Sequence, residues 1–368
     1  MILLSLEVKR LLSEFGRKLR VSVFGGSHEP HIGVTIEGLP KGQRIDMDRV
    51  QSFLARRAPG NNAFSTQRME SDTAIVKSGL HSGVTFGPPL TVIIENTDAR
   101  PGDYRNFSNI PRPSHADYTA RLKYGDALNM SGGGPFSGRM TAPLCIAGAI
   151  ALQLLENYGI TIGAHIFSVR DIADEPFDPV RISKEKLLPL EKSSFPTLSE
   201  NAGLAMREAI LSARDAGDSL GGVVECCAID VPAGIGGPMY DGVESALAPI
   251  FFGIPAVKAV EFGLGFESSV RKGSENNDPF YFDERGNVKT KTNNHGGILG
   301  GITSGMPVIA RVAFKPTSSI ALRQDSVNLE TKENVSLTIS GRHDPCIVPR
   351  AVPAVCSAMA VGLLDLIL

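Results

Sequence analysis

The second half of this chain repeats the plan of its first, and that limits the folds open to it. Gly83-Val84-Thr85-Phe86-Gly87-Pro88-Pro89-Leu90 parallels Gly301-Ile302-Thr303-Ser304-Gly305-Met306-Pro307-Val308. Gly33-Val34-Thr35-Ile36, then Leu39-Pro40-Lys41-Gly42 and an Asp-led helix pattern, parallels Gly222-Val223-Val224-Glu225, then Val231-Pro232-Ala233-Gly234 and a helix pattern after Asp241. Each half closes on a long apolar run of helical period. Two halves of one plan predict a two-fold pseudo-symmetric α+β unit that arose by duplication. No linker or low-complexity segment divides them, so one intertwined domain is expected.

Local pattern fills in the elements. Leu19, Val21 and Val23 alternate with polar residues and read as a strand running into a turn at His28; Val34-Thr35-Ile36 and Leu90-Thr91-Val92-Ile93-Ile94 are further strands. Asp46 is placed to cap a helix whose Val50, Phe53, Leu54 and Arg57 share one face and which must stop before Pro59. Residues 141–157 predict a helix stopped by Gly159, residues 202–214 another, residues 220–231 a strand, and residues 352–368 an apolar C-terminal helix that should be buried in the core or at an interface. Residues 1–14 fit either a short amphipathic helix or a disordered extension, leaving residues 15–368 for the domain.

Net charge is −2 with 21% charged residues, so no global basic field points to nucleic acid. Trp is absent, which argues against stacking platforms for single strands. No uninterrupted apolar run reaches about 18 residues, so no membrane span is expected. The five cysteines form no CxxC and no Cys/His metal spacing; an odd count suits a reducing cytosol, and a cytoplasmic protein is expected.

Two of the seven histidines sit in Gly- and Pro-rich turns, Phe24-Gly25-Gly26-Ser27-His28-Glu29-Pro30 and Pro111-Arg112-Pro113-Ser114-His115-Ala116-Asp117. Glycine lets backbone approach a ligand, and imidazole exchanges protons near neutral pH. A third polar turn, Gly341-Arg342-His343-Asp344-Pro345, adds a cation and a carboxylate. Arginines recur beside such turns at Arg56, Arg57, Arg68, Arg112, Arg139 and Arg342, and their forks match phosphate and carboxylate. One Arg alone is more often solvated than functional; the set predicts a cage for a substrate with several negative charges. Gly132-Gly133-Gly134-Pro135-Phe136-Ser137-Gly138-Arg139 precedes a helix and offers N–H groups to an anion, although kinases of small molecules use similar loops. Lys315-Pro316-Thr317-Ser318-Ser319 sets a cation beside three hydroxyls, a clamp for a phosphate or a heteroaromatic edge. No Walker motif, Rossmann fingerprint, nucleophile elbow or zinc helix is present. Ser27 and His28 are adjacent and seldom point at each other, so a Ser hydrolase is rejected.

These strings resemble the chorismate synthase family. The resemblance is carried by Pro111-Arg112-Pro113-Ser114-His115-Ala116-Asp117-Tyr118-Thr119, His295-Gly296-Gly297-Ile298-Leu299-Gly300-Gly301-Ile302-Thr303-Ser304-Gly305, the 315–319 string, Gly341-Arg342-His343-Asp344-Pro345-Cys346 and Ala55-Arg56-Arg57-Ala58-Pro59-Gly60, in order from about Phe15 to the C-terminus. It implies an anti 1,4-elimination of phosphate from 5-enolpyruvylshikimate 3-phosphate to chorismate, requiring reduced FMN without net redox change. It implies a sandwich of antiparallel sheets around long helices and a homotetramer. It places the catalytic histidines on His28, which protonates the leaving phosphate, and His115, which helps protonate the reduced flavin, with Asp344 as the carboxylate near flavin N5. It places Arg57, Arg68, Arg112, Arg139 and Arg342 around the substrate anions. Its FMN contacts fall on Pro135, Phe136, Ser137, Pro255, Ala256, Gly300, Lys315, Pro316, Thr317, Ser318, Ser319 and Arg342, and Arg342 is expected to keep Asp344 ionised.

There are departures. The usual Gly-Glu-Ser-His-Gly reads Gly25-Gly26-Ser27-His28-Glu29, Ala63 stands where many members have Arg, Arg-Ser-Ser-Ala-Arg-Glu reads Pro135-Phe136-Ser137-Gly138-Arg139-Met140, and Asn-Ala reads Pro255-Ala256. Some flavin contacts must then come from backbone. No reductase domain is visible, which favours an outside reductant over reduction of the flavin by bound NADPH. An ATP-dependent small-molecule kinase is the rival reading; it needs acidic Mg²⁺ ligands near the glycine loop, where only Asp117 and Asp126 are close. A non-enzymatic flavin binder would not need the arginine cage.

Overall fold

The computed structural model describes residues 13–58, 72–97, 109–125, 128–339 and 344–368. Ten strands form two antiparallel sheets: β1 (Ser13–Phe15), β2 (Arg20–Gly25), β3 (His31–Glu37), β4 (Ile75–Ser78), β5 (Leu90–Glu95), β6 (Thr161–Val169), β7 (Ile172–Ala173), β8 (Gly222–Ile229), β9 (Val257–Phe262) and β10 (Val308–Phe314). The first sheet has the order β1-β2-β3-β5-β4 and the second β9-β10-β8-β6-β7. With the edge strands β1 and β7 set aside, β2, β3, β4 and β5 match β6, β8, β9 and β10 in order and pairing.

The repeat holds at the level of single hydrogen bonds. The Thr85 hydroxyl donates to Pro40 O at 2.6 Å and accepts from Gln43 N at 3.0 Å; the Thr303 hydroxyl donates to Pro232 O at 2.7 Å and accepts from Ile235 N at 2.9 Å. Even the irregularities match: the register slips between Val76 and Ser78 where β4 meets β5, and between Val257 and Ala259 where β9 meets β10.

The principal helices are α1 (Met47–Arg57), α2 (Asp117–Tyr124), α3 (Thr141–Glu156), α4 (Lys184–Lys192), α5 (Glu200–Asp215), α6 (Val243–Phe252) and α7 (Val348–Ile367). Asp46 caps α1 as its side chain type dictates, accepting from Asp48 N and Arg49 N, and Val50, Phe53, Leu54 and Arg57 form the buried face. One apolar core runs from sheet one (Ile32, Val34, Val92) through α3 and α7 to sheet two (Ile166, Val224, Val312). Helices therefore lie between the sheets, as the sandwich expectation requires.

Three expectations are revised. Ser13 and Glu14, assigned to an extension, are strand residues paired with Val23 and Ser22, while residues 1–12 lie outside the described residues. The C-terminal helix starts at Val348 rather than 352, because Pro349 falls in the first turn, where a missing N–H costs nothing. Two helices, Gly138–Glu156 and Val348–Ile367, are long and apolar enough to cross a membrane, but both are mostly buried within the protein. The apolar circumference of α7 is thus used up by the chain's own core and is not an interface.

Candidate active site

The pseudo-symmetric plan brings matching helix ends to one place. A cleft of about 710 Å³ is lined by the N-terminal ends of α3 (Arg139, Thr141) and α7 (Ile347, Arg350) and the C-terminal ends of α1 (Arg57) and α6 (Phe252). Two helix N-termini bring partial positive charge and N–H groups to the cleft and two C-termini bring partial negative charge, so the helix ends alone do not set its preference.

Arginines supply the positive charge. Arg57 is held by three bonds: Nε to Thr141 Oγ1 at 3.0 Å, Nη1 to Asp72 Oδ2 at 3.0 Å and Nη2 to Gly138 O at 3.0 Å. Arg139 Nη1 takes the other Asp72 oxygen, and its Nε donates to Asn96 Oδ1 at 3.0 Å. Arg350 donates to Arg57 O at 3.0 Å and pairs with Asp344 at 2.6 Å. Three guanidiniums thus face two carboxylates and leave a net positive cluster. Burial, helped by Arg350 and Arg139 and opposed by Asp72, pulls Arg57 down to about 10; it stays charged at neutral pH.

The histidines flank the glycine turn. Gly132, Gly133 and Gly134 all have positive φ, at 62°, 98° and 51°. Added Cβ atoms would collide with His28 Cε1 at Gly132 and would stand 3.2 Å from His115 Nε2 at Gly133. Only glycine lets both imidazoles approach this turn. Contrary to the expectation for adjacent residues, Ser27 Oγ contacts His28 Nδ1 at 3.1 Å, and Ser27 N donates to Gly134 O at 3.3 Å. His115 Nδ1 meets Asp117 Oδ1 at 2.6 Å. Burial works against the Asp117 charge, but hydrogen bonds from Arg112 and His115 win and hold its carboxyl well below the usual range.

The opposite wall is the turn after β10. Lys315 Nζ donates to Ser114 O and to Ser318 Oγ, the latter at 2.9 Å, and burial with neighbouring Lys258 lowers its pKa. Thr317 Oγ1 is buried with no hydrogen-bond partner among the described residues. Ala256 holds a left-handed φ of 73° and faces the cleft with Pro255. Phe136 presents a ring 38% exposed beside the cleft. An orphaned hydroxyl, a cation and an exposed aromatic face suit a ligand with a phosphate and a flat ring, and the volume falls within the roughly 300–1,000 Å³ of small-molecule sites. The residues present fit a flavin mononucleotide.

Most of the expected residues meet here. Arg57, His115, Pro135, Phe136, Ser137, Arg139, Pro255, Ala256, Lys315, Pro316, Thr317, Ser318, Ser319 and Asp344 all line the cleft. His28 does not line it; its ring lies against Gly132, in the glycine turn that leads into the lining residues 135–139. Arg112 does not line it: its buried guanidinium is spent on Asp117, at 2.7 and 2.8 Å, behind His115. Gly300 is also off the wall, in open space at the tip of the hairpin Ile298–Leu299 and Ile302–Thr303. Arg68 and Arg342 lie outside the described residues, and the partner seen for Asp344 is Arg350. Asp72, Asn96 and Arg350 escaped the sequence reading. Arg350 left a signal, a lone cation in an apolar helix run; Asp72 left none. The kinase reading loses its nearest acid, since both Asp117 oxygens are taken by Arg112 and His115, and Asp126 lies outside the described residues.

Fold and cleft define an α+β protein built on a pseudo-two-fold, with a cleft lined by arginines, a histidine and a carboxylate. The family model for chorismate synthase matches residues 19–368. The chain is 45% identical to the chorismate synthase of Lancefieldella parvula, with 96% of each chain covered, and 46% identical to that of Thermococcus gammatolerans, with 95% of this chain and 96% of the relative covered. A crystal structure of a chorismate synthase superposes with a TM-score of 0.74 at 27% identity, covering 95% of this chain and 92% of the other. The chain belongs to the chorismate synthase family.

Proposed function

We propose that this cleft eliminates phosphate from 5-enolpyruvylshikimate 3-phosphate to give chorismate, with reduced FMN on the 315–319 wall and no net redox change. The observation that carries the reading is the union, in one cleft, of the Arg57–Asp72–Arg139 cluster at two helix ends with the His115–Asp117 pair across the glycine turn.

Each group has a task set by its surroundings. Arg57, Arg139 and Arg350 hold substrate anions; they are prearranged by Asp72 and Asp344, so little ordering remains to be done when substrate binds. His28 delivers a proton to the departing phosphate, whose charge the arginines also stabilise. His115 holds a proton at the flavin side, and Asp344 mediates proton traffic there. Lys315, Thr317 and Ser318 would bind the flavin, with Phe136 and the backbone at Ala256 against its ring. Reduced FMN, when bound, would supply electron density for cleavage of the C–O bond with no net redox change.

The chain acts as a homotetramer in the cytoplasm in this reading. Family membership supports the assembly, and so does an exposed apolar set at Met239, Tyr240, Phe266, Val270, Phe280 and Phe282. The deciding experiment is anaerobic: chemically reduced FMN, one equivalent per enzyme, with the phosphorylated enolpyruvyl substrate. Many turnovers with the flavin still reduced are expected. Consumption of one reduced flavin per product, or no product, defeats the reading.

A further inference from the structure

We infer that Asp117 is the positioning residue of the His115 imidazole, clamped in turn by Arg112 and Ser319, so that Nδ1 carries a hydrogen in every charge state and Nε2 is the nitrogen offered to the cleft. This rests on His115 acting as a proton donor in the proposed reaction.

The geometry decides between two descriptions of Nδ1. Arg112 Nη2 lies 3.1 Å from it, and Asp117 Oδ1 lies 2.6 Å from it. Arg112 cannot accept, so both contacts cannot be hydrogen bonds to a protonated Nδ1. Arg112 already has an acceptor: its Nε and Nη2 donate to Asp117 Oδ2 and Oδ1 at 2.7 and 2.8 Å, and its backbone N to Oδ2 at 3.0 Å. Its nearness to Nδ1 follows from two donors sharing Oδ1. Asp117 is held ionised and only accepts, so the shorter, charge-assisted bond fixes the hydrogen on Nδ1. Nε2 is then turned toward Gly133.

A second set of bonds ties this pair to the far wall. Arg112 Nη1 donates to Ser319 Oγ at 3.3 Å. Ser318 Oγ donates to Ser114 O at 3.0 Å, and Lys315 Nζ reaches the same carbonyl, on a residue held at φ 59°. The 315–319 turn and the His115 turn are therefore tied together by three hydrogen bonds. The charged and titratable groups facing His115 are Asp117 and Arg112 from its own segment, Lys315 from the turn after β10, and His28 across the glycine turn.

The test reads the tautomer directly. Protein labelled with ¹⁵N only at histidine is examined by solid-state NMR above neutral pH, with the His115→Gln spectrum subtracted for assignment. A hydrogen on Nδ1 is expected, and Asp117→Asn, which has no anion to select it, should shift the population toward hydrogen on Nε2. In parallel, kcat of Asp117→Asn should fall roughly 10²–10⁴-fold with KM and flavin affinity nearly unchanged, and Asp117→Glu should recover part of it. Hydrogen on Nε2 in the unsubstituted protein overturns the inference whether or not any variant folds, as does an unchanged tautomer in Asp117→Asn. If the spectra behave as expected but the unsubstituted enzyme forms no chorismate, the positioning stands and the reaction assigned to it falls.

Discussion

Gly148→Ala should weaken this protein although it replaces a poor helix former by the best. Gly148 lies in mid-α3, where Ala is favoured by about 1 kcal/mol. Against that, a Cβ at Gly148 would come inside 3.0 Å of Ser357 Cβ, Oγ and Cα on α7, whereas carbons in contact sit about 3.5–4.0 Å apart. One of the three obstacles is backbone, so no side-chain rotation clears it and the helices must separate. Overpacking of this kind costs about 1–3 kcal/mol and sometimes more. Steric cost wins because the clash includes backbone, and a net loss of roughly 1–2 kcal/mol is expected in urea unfolding. Ser357→Gly, made in the same background, removes Cβ and Oγ but leaves Cα, so it should restore only part of the loss, with a clear coupling in the double-mutant cycle. Because α3 and α7 carry Arg139 and Arg350 to the cleft, turnover should fall with stability. A neutral or stabilised Gly148→Ala, or additive single effects, would refute the packing argument.

Asp72→Asn leaves Arg57 and Arg139 buried against a neutral amide, and should cost about 3–5 kcal/mol by urea titration and raise KM; a loss under about 1 kcal/mol would show that the guanidiniums find other partners. His28→Ala and His115→Ala should each lower turnover by roughly 10²–10⁴-fold while changing flavin binding much less, and near-normal turnover would make either residue structural. His165 is fully buried between Asp174 and Glu225, each at 3.0 Å; burial alone would lower its pKa, but the two hydrogen-bonded carboxylates raise it above the ordinary 6.5. Its contribution to stability is complete below the unfolded value and is lost as pH rises through the folded one, so His165→Gln should be less stable at pH 6 and flatten the alkaline decline in urea midpoint. Asp174 and Glu225 are shifted down from 3.8 and 4.5, so their share is present above those values and lost as pH falls through the folded ones.

Sequence determined the repeat, the elements and the chemistry of the cleft. Gly33, Thr85 and Pro40 recur as Gly222, Thr303 and Pro232 because the same turn needs the same hydroxyl-to-carbonyl bond, and that need is local. His28, His115, Asp344 and the 315–319 string were legible because glycine turns and crowded polar side chains serve no core. Tertiary structure decided what each charge does. Arg112 and Arg139 look alike in sequence, yet one is spent on nearby Asp117 behind the histidine while the other lines the cleft, held there by Asp72, 67 residues away in sequence. Asp72 and Arg350 became visible only when α1, α3 and α7 met, because a buried charge is defined by what surrounds it in space. Likewise an apolar helix such as α7 announces that it will be buried, but a one-dimensional pattern does not name the surface; packing against α3 at Gly148, inside its own chain, settled that.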